Sequence, residues 1–128
     1  MFKFSQKSLK FLDGVDPKLK LLAEKVLEIT PIDFAVVSSI RNKAEQEQLV
    51  KEGKSKTLNS LHLVGKAIDI MPCKEKYTQA KDIFILVGLF IAIAKQLNIN
   101  IRVGALWDYN STKDNNFIDA YHLEIKDD

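Results

Sequence analysis

The sequence predicts an α+β domain, and three observations carry that expectation. Apolar residues recur at helical spacing between Leu19 and Ile29 and fill a long run from Ile83 to Ala94. Four short stretches, "DFAVVSSI", "KAIDIMP", "NINIRVGAL" and "AYHLEI", are instead rich in β-branched or alternating apolar residues, as strands are. No repeat, low-complexity segment or linker interrupts the 128 residues, so one domain covering 1–128 is expected. The sheet would be antiparallel or mixed, with helices packed against it.

The elements follow in order. In "MFKFSQKSLKFLDG", Phe2, Phe4, Leu9, Phe11 and Leu12 are expected to pack on the domain, and no long apolar core of a secretory signal is visible. Asp16 is a candidate N-cap with Pro17 at the first helical position. Leu19, Leu22, Val26 and Ile29 then form the inward stripe of a helix that Pro31 stops. After the "DFAVVSSI" strand, Asn42 and Glu45 stand in a capping-box-like arrangement, and the helix they open ends at Gly53. Gln46 and Gln48 read as its exposed surface. A polar loop, "KSKTLNS", precedes the strand "KAIDIMP", which Pro72 closes.

Thr78 then opens a helix running to about Leu97, expected to be buried almost all round. Its apolar run is too short for a membrane, which needs roughly 20 residues, so no membrane insertion is expected. In "NINIRVGAL", Ile99, Ile101 and Val103 would share one face. "WDYNSTKDNN" is a polar loop of the kind that surrounds sites, and "AYHLEI" is the last strand.

Composition removes several function classes. With 19 basic and 17 acidic side chains the net charge is +2, and no basic stripe with interleaved aromatics suggests nucleic acid. The single cysteine, Cys73, excludes an internal disulfide and reads as a bystander. "GKSKT" fails as a phosphate loop because Gln48 stands where the first glycine belongs and no strand precedes it. The sequon at Asn110 has no meaning without secretion.

The chemistry concentrates around the only two histidines, His62 and His122. Side chains two apart in a strand share a face, so His122 and Glu124 should point one way and Tyr121 and Leu123 the other. If the apolar pair takes the core, His122 faces a cleft. By the same alternation Asp69 leaves the core side, opposite Ile68 and Ile70. Gly65 would let the chain turn so that His62 and Asp69 approach one point. Two imidazoles and one carboxylate are a common zinc set, and an open fourth position makes such a site catalytic. Asp119, near the entry of the last strand, is then the candidate general base, with a bulge or turn near Ala120 bringing it round. Spacing by itself leaves a second reading open, in which both histidines are ordinary hydrogen-bonded residues.

A resemblance separates the two. Ser60, His62, Gly65, Ala67 and Asp69 spell S-x-H-x-x-G-x-A-x-D, which resembles the signature of the D-Ala-D-Ala-type zinc peptidases of bacterial cell walls. Asp119 and His122 resemble its second element, an acid three residues before a histidine. More narrowly, "FSQKSLKFLDGV", "TPIDFAVVSSIR", "EQEQLVKEGKS" and "LNSLHLVGKAID" resemble the L-alanyl-D-glutamate endopeptidases among phage endolysins over nearly the whole chain. The resemblance implies the D-Ala-D-Ala peptidase/Hedgehog-like fold, Zn2+ held by His62, Asp69 and His122, and Asp119 as acid and base. It also implies that Arg41 holds substrate and stabilises the developing oxyanion.

Ser60 would hydrogen-bond near metal or substrate or cap its loop. Trp107 would wall the substrate groove, although Gly104, Ala105, Leu106 and Trp107 replace the Gly-Gly-x-Trp usual in relatives. Glu124 reads either as an acid that orients a ligand histidine or as a solvated strand residue.

The implied partner is the peptidoglycan stem peptide, with the protein monomeric. It would remain in the bacterial cytoplasm until a holin permeabilises the membrane. A D,D-carboxypeptidase of the same superfamily and an inactive metal-binding wall-recognition module are the rivals. A carboxypeptidase needs a cation to close one end of its groove. Lys113 is the only one in the last loop and stands between Asp108 and Asp114, so an open-ended groove is expected.

Overall fold

A computed structural model describes residues 2–39, 43–53, 65–73, 79–104 and 121–126. Among them four helices and four strands form one α+β unit, as expected. The helices are α1 (Gln6–Leu12), α2 (Pro17–Ile29), α3 (Lys43–Lys51) and α4 (Gln79–Gln96). The strands are β1 (Phe34–Ser38), β2 (Ala67–Pro72), β3 (Ile101–Val103) and β4 (His122–Ile125). The sheet order is β1-β2-β4-β3 and every pairing is antiparallel, which decides between the antiparallel and mixed sheets that the sequence left open.

Local chemistry sets the helix ends. Ser5 accepts from the Ser8 amide to cap α1, and Asp16 accepts from the Lys18 amide at 2.9 Å with Pro17 at the first turn of α2. At the end of α2, Thr30 takes an extended conformation ahead of Pro31. Gly53, at φ 73°, closes α3 in the left-handed conformation expected of a glycine stop. The end of α4 is a Schellman turn built on asparagine: Asn98 has φ 56°, Ile99 N–H reaches Ala94 O and Asn98 N–H reaches Lys95 O. That turn drops Ile99 into the core and aims the chain at β3.

One face of the sheet carries the core. Phe34 and Val36 of β1, Ile68 and Ile70 of β2, Val103 of β3, and Leu123 and Ile125 of β4 are all buried there. Against them pack Leu19, Leu22, Ala23, Val26 and Leu27 of α2 and Ile83, Leu86, Val87, Phe90 and Ala94 of α4. Burial of each large side chain is worth about 1.5–3 kcal/mol. Edge-to-face contacts link Phe4 to Phe34 and Phe34 to Phe90, each at 5.5 Å between ring centroids. Helix α1 lies along β1, where the buried Ser8 hydroxyl accepts from Val36 N–H and so occupies a donor of this edge strand.

Several expectations need correction. Helix α4 is one-sided rather than buried all round: Phe84 is 56% and Ile85 40% exposed. It packs on α2 and the sheet along a single stripe, and nothing among the described residues covers its other side to that depth. Ile29 is 54% exposed because the inward rows of α2 advance by four, and the next inward position falls on the buried Thr30. Gln46, read as surface, is buried, on the same stripe as the half-buried Leu49 and Val50; Gln48 is exposed and bonds Glu52 at 2.9 Å. Phe2 and Leu9 are largely exposed, whereas Phe4, Phe11 and Leu12 pack as expected. Asn42 and Thr78 lie outside the described residues.

Candidate metal centre

The second face of the sheet is polar, and its composition follows from strand alternation. With Ile68, Ile70, Leu123 and Ile125 turned to the core, the residues between them must face away. Asp69 of β2 and His122 of β4 are direct cross-strand partners, with Ala67 and Glu124 the next pair. Ile70 N–H bonds Tyr121 O and Ile125 N–H bonds Lys66 O, which makes both pairs the non-hydrogen-bonded kind. Side chains approach most closely in such pairs. The strands thus deliver an imidazole and a carboxylate to one point.

His122 Nδ1 lies 3.3 Å from Asp69 Oδ1, and its Nε2 lies 2.7 Å from Glu124 Oε1. Both His122 and Glu124 are buried, and β4 is buried on both faces. Glu124 is therefore not a solvated strand residue. Its second oxygen is 3.7 Å from Arg102 Nη1, on the neighbouring strand and directly across the sheet. Asp69 is partly exposed. Burial would push the His122 imidazole below its ordinary value of 6.5, but hydrogen bonds and negative charge from Asp69 and Glu124 outweigh it and raise the pKa to about 9. The imidazole is thereby held as a cation between two carboxylates at neutral pH.

The spacing of these two donors fits zinc. Tetrahedral bonds of about 2.0–2.1 Å place neighbouring donor atoms roughly 3.3 Å apart, the separation of Nδ1 and Oδ1 here. A metal ion that displaced the Nδ1 proton would take over a position where the protein already stabilises a cation. Among the described residues no third ligand completes the set. His62, the other expected ligand, lies outside them, as do Asp119, Arg41, Ser60, Trp107 and the turn expected near Ala120. Gly65, at φ 71°, turns the chain into β2 just after His62, and its carbonyl accepts from Asp16 N–H at 2.9 Å. That bond ties the turn to the start of α2.

Two further features escaped sequence reading. A β-bulge between Val36 and Ser38 inserts Val37, so that Ser38 rather than Val37 stands opposite Asp69. Bulges of this kind re-aim side chains beside sites, and Ser38, Asp69 and His122 form one row across the sheet. Arg102 was also unassigned. The signal for it was present, because Ile101 and Val103 alternate with it on a strand, but the identity of the strand beside it was not.

The fold has a counterpart among solved structures. It superposes on the crystal structure of the L-Ala D-Glu endopeptidase ChiX of Serratia marcescens with a TM-score of 0.78 at 24% identity, over 98% of this chain and 90% of that one. In sequence it is 34% identical over 131 residues to the L-alanyl-D-glutamate peptidase of Escherichia phage T5, covering 98% of this chain and 90% of the relative. The profile of the phage L-alanyl-D-glutamate peptidases matches residues 1–126. The chain belongs to the phage L-alanyl-D-glutamate peptidase family. Among the described residues, no helix is long and apolar enough to cross a membrane.

Proposed function

We propose that this protein is a zinc-dependent endopeptidase that hydrolyses the L-alanyl-D-glutamate bond of peptidoglycan stem peptides during phage lysis. The observation that carries the reading is the Asp69–His122 pair, set at metal-ligand spacing on the polar face of a sheet that belongs to this family. His62, Asp69 and His122 would hold the ion. Zinc, when bound, supplies Lewis acidity, which acidifies water and polarises a carbonyl.

The protein's own groups supply the rest. Asp119 accepts the proton of the attacking water and passes it to the leaving amine as the C–N bond breaks. Arg41 donates hydrogen bonds to the carbonyl oxygen as negative charge grows on it. Trp107 walls the peptide groove, and Ser60 hydrogen-bonds beside the reacting peptide. The enzyme waits in the bacterial cytoplasm as a monomer and reaches the wall once a holin has opened the membrane.

Digestion of purified peptidoglycan, with mass spectrometry of the new termini, tests the bond. New N-terminal D-glutamate with no free D-alanine is expected. Release of D-alanine alone would overturn the endopeptidase in favour of a D,D-carboxypeptidase. Elemental analysis of the same preparation is expected to find one zinc per chain.

A further inference from the structure

The polar face holds a charged chain, Arg102, Glu124, His122 and Asp69, of which Arg102 and Glu124 have no part in the reaction proposed above. Glu124 Oε1 takes the Nε2–H of His122 at 2.7 Å, and Oε2 faces Arg102 Nη1 at 3.7 Å. The other ring nitrogen, Nδ1, is left facing Asp69 at 3.3 Å. A buried carboxylate is costly unless hydrogen-bonded or paired, and Glu124 is buried between a histidine and an arginine that meet that need.

Room for it comes from Ala67. This residue stands directly across from Glu124 on β2, fully buried, and offers only a methyl group at a point where cross-strand side chains come close. A branched side chain there would compete with the carboxylate for the same space. The alanine of the G-x-A-x-D stretch thereby acquires a packing reason.

We propose that Glu124, seated over Ala67 and paired with Arg102, is a positioning residue that fixes the tautomer and angle of His122 so that Nδ1 alone is presented to the metal. The inference rests on the zinc reading above. A carboxylate on the far nitrogen of a metal-bound imidazole orients the ring and raises its basicity, and its loss typically lowers metal affinity about 10–100-fold. Arg102 acts one step further out. It is largely exposed, so its contribution is smaller and reaches the metal only through Glu124.

The test compares wild type with Glu124→Met, Glu124→Gln and Arg102→Met. Zinc affinity is measured by chelator competition, and the His122 Nε2–H is observed by NMR as a slowly exchanging imidazole proton. Glu124→Met is expected to bind zinc about 10–100-fold more weakly and to lose the protected proton. Glu124→Gln keeps an acceptor oxygen and should restore the proton and most of the affinity. Arg102→Met should cost a few-fold in wild type and nothing further in the Glu124→Met background, as coupling through one residue requires.

Unchanged affinity together with a retained Nε2–H in Glu124→Met would overturn the inference while leaving the zinc reading intact. Failure of wild type to bind zinc would overturn the zinc reading itself. If Glu124→Met does not fold, Ala67→Val with Glu124 intact applies the same measurement. A lost proton and weakened zinc binding are then expected, and wild-type values would refute the clamp.

Discussion

Ile68, Ile70, Leu123 and Ile125 point to one face of the sheet; Asp69, His122 and Glu124, interleaved with them on the same two strands, point to the other. The first face is stabilised by removal of apolar area from water, an energy without direction that tolerates a change of shape if volume is kept. The second is stabilised by paired groups at 2.7 and 3.3 Å, where a displaced atom leaves a buried charge without a partner. A strand period of two lets one backbone serve both needs. The core face holds the strands in register, and the register places the donors.

Substitutions on the two faces should therefore fail differently. The largest effect is expected for His122→Ala and Asp69→Ala, which should lose both stoichiometric zinc and measurable peptidoglycan hydrolysis. Elemental analysis and turbidity clearance report the two losses, and unchanged zinc binding in His122→Ala would remove it from the ligand set. Asp119→Ala comes next. It should keep zinc and fold, yet lose about 10²–10⁴-fold in rate, the range of general acid–base catalysis. Wild-type rates in this variant would reassign the proton transfer.

On the opposite face, Phe90→Ala should cost about 3–5 kcal/mol of stability, read by denaturant unfolding. Below its melting temperature the variant should keep wild-type zinc stoichiometry, since Phe90 contacts the core and not the polar face. Loss of zinc from the folded variant would show that the two faces are not separable.

A smaller effect concerns pH in the zinc-free protein. The His122 pKa is raised from 6.5 to about 9 in the fold, so its stabilising contribution is complete below about pH 6.5 and disappears as pH rises through about 9. The melting temperature of chelated protein should fall across that window, and the fall should be shallower in Glu124→Gln. Zinc bound in place of the Nδ1 proton, as proposed above, would remove the dependence and raise the melting temperature. The smallest effect is expected on the outer side of α4. Phe84→Ser should change stability by about 0.5 kcal/mol or less, because that side chain is already 56% exposed.

Much of this was legible in the residues. Asp16 and Pro17, Gly53, the alternation of "KAIDI" and "HLEI", and the inward Leu19, Leu22 and Val26 all depend on neighbours within a few positions, and short-range geometry decides them. Periodicity also said that Asp69 and His122 leave the core. It does not say how deeply each stripe is covered, and so Ile29, Phe84 and Ile85 are exposed and Gln46 is buried against the expectation from spacing. Burial is a property of what packs against a helix, and a helix pattern contains no record of its neighbours.

The sequence by itself determined the element types and the two-faced strands that turn Asp69 and His122 away from the core, because each follows from steric and hydrogen-bonding rules acting locally. Only the tertiary structure decided that Asp69 stands opposite His122, that the Val37 bulge sets Ser38 beside Asp69, and that Glu124 lies between His122 and Arg102. Those cross-strand juxtapositions join residues of all four strands, β1 to β2, β2 to β4 and β4 to β3, which lie far apart in the chain. Strand order and register are set by the collective burial of the core face, and no single segment holds that information.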